Sequence, residues 1–223
     1  MEDQMDRYVQ VLGPKLTRMF AGDSSGHDLH HSWRTMRNAL YLQEREGGDR
    51  VVVGIAALLH DVHRAMENEI GSFVQPVDSL GVVRDMLEGL DLEPWQVDQI
   101  CFCIEHHEDY NWNDDNVDDL NAHIVQDADN LDAVGAIGIA RGFCYGGVHN
   151  MPLYDPDAPI DDRDDYRETG ENDASTIHHF HHKAFKLAQN MNTAAARELA
   201  LKRTEYMRAF VDEFMLEWDA RLP

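Results

Sequence analysis

Apolar residues recur at steps of three and four along most of this 223-residue chain, and no segment alternates convincingly at steps of two. Leu29, Trp33, Met36, Leu40 and Tyr41 mark one helix, entered from the polar stretch Gly22-Asp23-Ser24-Ser25-Gly26 and ended by Gly47-Gly48. Residues 51–64, VVVGIAALLHDVHR, are apolar on every side for nine positions. The leading valines alone would suit a strand, but the Ala-Ala-Leu-Leu continuation and the length predict a buried helix. Asp78-Ser79 is expected to cap a helix carrying Val82, Val83, Met86, Leu87 and Leu90. Glu93-Pro94 starts another, with Trp95, Ile100, Ile104 and His107. Asp118-Asp119 opens a long one through Leu120, Ile124, Ala128 and Leu131 to about Arg141. Ser175-Thr176 and Asn192-Thr193 begin two more, the last reaching Trp218 with Leu199, Phe210, Val211 and Phe214 on its buried side. The pattern predicts an all-α fold, one domain over residues 1–223 with its core between about 26 and 218.

Residues 142–175 interrupt the periodicity with Gly142, Gly146, Gly147, Pro152, Pro156, Pro159 and the acidic run Asp161-Asp162-Arg163-Asp164-Asp165. A long acidic loop is expected there, either disordered or serving as a lid.

Composition narrows the class. Hydrophobic residues make up 43% of the chain, enough for a packed core, and no apolar run approaches the roughly 18 residues that a membrane span needs. The start, MEDQMDRYVQ, has neither a basic nor an apolar signal-peptide region, so a cytoplasmic protein is expected. Cys101, Cys103 and Cys144 are too few and too oddly numbered for a disulfide framework, and Cys101-Phe-Cys103 is expected to pack in the core. Forty-two acidic residues against nineteen basic ones give a net charge of −23. There is no basic footprint for DNA or RNA, so no polymeric nucleic acid is expected as a partner. The acids are scattered along the whole chain, with 27 Asp against 15 Glu and only four lysines. That distribution suits a surface solvated in concentrated salt, where screening removes the self-repulsion.

The thirteen histidines are placed tellingly: His27-Asp28-x-x-His31, His60-Asp61-x-His63 and His106-His107, followed by Asp127-Ala-Asp129 with Asp132. Each group lies on, or at the mouth of, a helix that is otherwise apolar inward. Burying an imidazole beside a carboxylate is expensive unless something compensates, and a divalent cation does so well. Any one of these groups alone would pass for a satisfied core histidine; their recurrence across four helices points to a metal. Mixed His and carboxylate donors without a usable Cys pair suit Mn²⁺, Mg²⁺, Fe, Co²⁺ or Ni²⁺ better than structural zinc.

The order His31, then His60-Asp61, then Asp129 resembles the H…HD…D signature of the HD-domain metal-dependent phosphohydrolases. The resemblance runs from about residue 26 to 218 and is similar to the small stand-alone bacterial and archaeal members, some of which are nucleotide pyrophosphohydrolases. It extends through Arg34, Ala56-Ala57-Leu58-Leu59, the string Gln126-Asp127-Ala128-Asp129-Asn130-Leu131-Asp132-Ala133, Gly135 to Arg141, His179-Phe180-x-x-Lys183 and Met191-Asn192-Thr193. The resemblance implies an HD-domain helical bundle whose metal ligands are His31, His60, Asp61 and Asp129. His63 and Asp132 would stand just behind them. His106 and His107 resemble the histidines that hold a second metal in two-metal members. Close relatives usually have His-Ser where this chain reads His107-Glu108, so a single-ion site is expected.

The implied reaction is hydrolysis of a phosphate ester or anhydride in a small phosphorylated substrate, a nucleotide above all. Asp132 and His107 are the candidate general bases. Arg34, one turn beyond His31, and Lys183 are the candidate phosphate contacts, with Arg64 and Arg141 behind them. Two alternatives stay open: a nucleotide-binding regulatory module without turnover, and a di-iron oxygenase on the same scaffold, which would need both His106 and His107. If the acidic surface is an adaptation to salt, thermal melts will show a Tm that climbs from dilute buffer to molar salt. A Tm indifferent to salt removes that reading.

Overall fold

The computed structural model describes residues 4–109, 117–160 and 173–221. Among these residues it is all-α, with helices α1 (Gln4–Met19), α2 (Leu29–Glu46), α3 (Arg50–Leu59), α4 (Val62–Ile70), α5 (Leu80–Leu87), α6 (Pro94–Glu105), α7 (Leu120–Asp132) and α8 (Gly135–Val148). Then come α9 (Thr176–His179), a π-helical turn (Phe180–Ala184), α10 (Phe185–Leu187) and the long α11 (Ala194–Trp218). Among the described residues no helix is long and apolar enough to cross a membrane.

Helix α3 organises the rest. Val51 to Leu59 are all buried, so α3 needs neighbours on every side, and it packs against α2, α6, α7 and α1. Cys101 and Cys103 are buried in this same core, as expected. Helix α1, which precedes the expected start of the core near residue 26, adds Met5, Tyr8, Leu12 and Leu16 to it, with Phe20 just past its end. A smaller cluster around Ile139, Ile177, Phe180 and Met207 joins α8 to the C-terminal helices.

Aspartates begin several of these helices. Asp28 accepts from the His31 amide, Asp49 from Val51 and Val52, and Asp119 from Ala122. The Asp-rich composition thus serves local structure as well as the surface, because a carboxylate at an N-terminus also meets the helix dipole.

Four expectations need correction. The helix read over residues 51–64 is two: α3 stops at Leu59, and Asp61 (φ −88°, ψ 15°) turns the chain into α4. Asp78-Ser79 does not cap α5 through a side chain; these residues belong to a 3₁₀ turn, Pro76–Ser79, where Gln75 and Asp78 form the capping box. The helix read from Asp119 to Arg141 breaks after Asp132. Gly135 (φ +78°) makes that corner, and a Cβ at Gly138 would come 2.3 Å from the Ala133 carbonyl oxygen, so the turn is tight enough to demand glycine. Finally, residues 142–148 are helical and not loop. The remaining segment is tied down where it is described: Thr176 and Ile177 donate to the carbonyls of Pro152 and Leu153, and Tyr154 stacks on His178. The expected lid falls mainly on residues 161–172, outside the described residues.

Asp127 joins α7 to the start of α11. It is fully buried, and its carboxylate accepts from the Asn192 amide, from the Thr193 amide and from the Thr193 hydroxyl at 2.7–2.8 Å. Asp127→Ala orphans these donors and should cost about 3 kcal/mol in urea unfolding, with metal content unchanged.

Candidate metal centre

The local folding of three breaks builds the site. Asp28 caps α2 and so fixes His31 in its first turn. Neighbouring residues in a continuous helix point roughly 100° apart, so His60 and Asp61 would diverge if α3 ran on. The break at Leu59 lets both face one point. From α7, Asp129 faces the same point, while Asp127, two residues away, faces α11.

The four side chains converge. His31 Nε2 and His60 Nε2 lie 3.0 Å apart. Asp61 oxygens are 3.2 Å from His31 Nε2 and 3.5 Å from His60 Nε2, and Asp129 Oδ1 is 3.2 and 3.6 Å from them. The far nitrogens fix the tautomers. His31 Nδ1 donates to Asp132 at 2.8 Å and His60 Nδ1 to the Ala57 carbonyl at 2.8 Å. Both Nε2 atoms therefore turn lone pairs toward two carboxylates, an arrangement of acceptors with no donor between them. A cation resolves it, and a 3.0 Å nitrogen separation matches two ligands about 2.1 Å from one ion at roughly right angles. Without a cation a proton must serve. Burial and Arg141 lower the His31 pKa, but the carboxylates of Asp129, Asp132 and Asp61 outweigh them and raise it to about 10. Burial pushes Asp61 and Asp129 up, yet the facing histidines hold both well below the usual carboxylate range.

Behind this centre, Asp132 accepts from Arg34 Nε and Nη2 at 2.8 and 2.9 Å and lies 3.2 Å from Arg141 Nη1. Burial raises its pKa, but His31 and the two arginines hold it far below the ordinary value. A carboxylate so engaged positions His31 and is a poor proton acceptor. Arg34, expected at phosphate, has its fork on Asp132 and is not among the residues lining the cleft. Lys183 and Arg141 do line that cleft, with Arg141 Nε donating to the Gly26 carbonyl.

His107 is buried against His60, and burial lowers its pKa to about 4. His106 turns away and pairs with Asp109 at 2.6 Å, so the pairing of both histidines that an oxygenase would need is absent among the described residues. Sequence reasoning gave no role to His27, whose Nδ1 donates to Asp61 at 2.8 Å. Its position just before the Asp28 cap was the available signal. The cleft over the centre measures about 480 Å³, within the range of small-molecule sites. Its walls include Phe73, Tyr145, Phe180, Arg64, Arg141 and Lys183.

Residues 28–134 match the HD domain family model. YpgQ of Bacillus subtilis (strain 168), an uncharacterized protein, is 33% identical over 191 residues, covering 85% of this chain and 83% of the relative. This chain belongs to the HD-domain superfamily. A solved HD-superfamily hydrolase from Bacillus thuringiensis is 33% identical with a TM-score of 0.70, over 98% of this chain and all of the other. The structure of Bacillus subtilis YpgQ in complex with ADP is 27% identical with a TM-score of 0.66, over 96% and 94% of the two chains. The HD dipeptide of this member is His60-Asp61, at the α3–α4 break.

Asp132→Asn keeps the shape but loosens the hold on His31. Divalent-ion affinity, measured by calorimetric titration of metal-free protein, should fall about 10- to 100-fold while the fold persists.

Proposed function

We propose that this protein is a metal-dependent phosphohydrolase that cleaves a phosphate ester or anhydride of a nucleotide. The observation that carries the reading is the convergence of His31, His60, Asp61 and Asp129, of which Asp61 and Asp129 line an open cleft. These four would hold one divalent ion, of the Mn²⁺, Mg²⁺, Co²⁺, Ni²⁺ or Fe class. Such an ion, when bound, polarises a phosphoryl oxygen and lowers the pKa of water toward neutrality.

The chain's own groups do the rest. Lys183 and Arg141 stand on the cleft wall where a charged phosphate tail would lie, and Arg64 faces them from α4. Tyr145, tilted by 30° against His149 at 3.9 Å between centroids, and Phe73 offer flat apolar surface to a base. The ADP-bound YpgQ structure supports a nucleotide ligand. His27, neutral because burial lowers its pKa, lines the cleft beside Asp61, where it would meet a water activated at the metal centre. It is better placed as general base than Asp132, which the arginines occupy, and it faces open space where His107 is enclosed.

A screen of nucleoside mono-, di- and triphosphates with Mn²⁺, Mg²⁺, Co²⁺ and Ni²⁺, detecting phosphate and pyrophosphate separately, tests the reading. Turnover with at least one pair is expected. His60→Ala or Asp61→Ala should lower kcat/KM by about 10³-fold or more, since the ion supplies several kcal/mol to the transition state. Full activity in either variant removes the assignment. Nucleotide binding without turnover under every metal would make the protein a regulatory module instead.

A further inference from the structure

Two antiparallel elements line the cleft side by side, and their register orders what can lie along it. A Cβ at Gly142 of α8 would come 2.6 Å from the Phe180 ring, and one at Gly146 would press on the Thr176 hydroxyl. Four residues forward along α8 therefore match four residues back through the π-helical turn into α9, and glycine at both positions lets the backbones close up. Residues of both elements reach the cleft: Arg141, Tyr145 and His149 from α8, and Lys183, His179 and Asp173 from the other side. The register sets Arg141 near Lys183, Tyr145 near His179, and His149 near Asp173.

These three levels run outward from the metal centre. Arg141 Nη1 lies 3.2 Å from Asp132, which holds His31, so the Arg141–Lys183 level is the inner one. Tyr145 and His149 follow one and two helical turns further along α8. The inner level is basic and suits phosphate. The outer levels combine aromatic surface with a carboxylate.

That carboxylate is the group the proposed reaction leaves without a task. Asp173 Oδ2 accepts from His179 Nδ1 at 2.7 Å, and its Oδ1 accepts from His182 Nδ1 at 2.8 Å. Burial raises its pKa, but the two histidines hold it below the usual carboxylate range. An ionised carboxylate offers about four lone-pair directions, so two imidazole donors fix its orientation and leave capacity for a donor in the cleft. It repels phosphate. Its place is beside a part of the substrate that carries neutral hydroxyl donors.

We propose that Asp173, positioned by His179 and His182, is a sugar-recognition residue that accepts hydrogen bonds from the vicinal 2′- and 3′-hydroxyls of a ribonucleotide. The inference rests on the nucleotide reading and deepens it. With phosphates at the Arg141–Lys183 level and a base against Tyr145, the sugar between them passes His179 and Asp173. A 2′-deoxy sugar leaves the carboxylate short of a partner, and a site built around a hydrogen bond rejects an analogue that lacks it. The cleft therefore selects ribonucleotides.

The test compares ribonucleoside triphosphates with their 2′-deoxy and 3′-deoxy counterparts, for two bases, by kcat/KM and by calorimetric Kd. Wild-type protein should favour the ribonucleotide about 10- to 100-fold for either base. In Asp173→Asn that ratio should fall to within about three-fold, because the ribonucleotide loses more than its deoxy counterpart. A purely structural role would lower both equally. Equal handling of ribo- and deoxyribonucleotides by wild-type protein overturns the sugar reading and leaves the hydrolase reading standing. So does a preference that follows the base, or one that Asp173→Asn retains. Binding without turnover moves the same comparison to Kd alone, and failure to bind any nucleotide overturns both readings. The wild-type ratio decides the matter even if the variant fails to fold.

Discussion

Two imidazole nitrogens 3.0 Å apart, each with its lone pair turned toward the other and toward two carboxylates, cannot be stable inside a protein on their own. Much of the structure around them follows from that constraint. A positive charge must sit among them, and the residues behind them hold the donors still until it does. Asp132 and the Ala57 carbonyl fix the two tautomers, and Arg34 and Arg141 balance the charge of Asp132. The cost of assembling like-charged oxygens in a buried place is offset by a metal ion or, without one, by an extra proton on His31, so metal affinity and local order are linked here.

The ligands come from places where helices end. His31 is in the first turn of α2, His60 and Asp61 occupy the gap between α3 and α4, and Asp129 lies one turn before the corner that ends α7. Helix interiors supply rigidity but send successive side chains around the axis, so neighbours cannot share a target. Breaks remove that restriction. The same geometry brings His63 and His107 beside the first centre, from the start of α4 and the end of α6. The buried helix α3 anchors the arrangement, packed against α1, α2, α6 and α7.

In so acidic a chain the arginines have little freedom. Arg34 is bound by Asp132, and Arg64 is shared between Glu67 and Glu108. Reading Arg34 as a phosphate contact from its position along the helix assumed that a basic group near a ligand faces the ligand's cleft. For Arg34 a buried carboxylate one turn from Asp129 took the guanidinium instead, because an unpaired buried charge is worse than an unfilled substrate contact.

The chain's periodicity determined that the fold is helical, and the recurrence of buried His and Asp groups across several helices, His60-Asp61 among them, pointed to a metal, since a cation compensates such a cluster in a core. The motif order also named the four converging side chains, a list that spacing alone could not have closed between Asp127 and Asp129. Tertiary structure decided the rest. It showed that Asp127 holds Asn192 and the α11 cap Thr193 while Asp129 faces the histidines, and that long helical patterns break at Asp61 and Gly135. It also gathered His27 and Glu108 around the motif. Periodicity records which residues avoid water, and it is nearly blind to breaks of one or two residues. Those breaks set the direction of every ligand, and direction is a property of packed neighbours far apart in the chain.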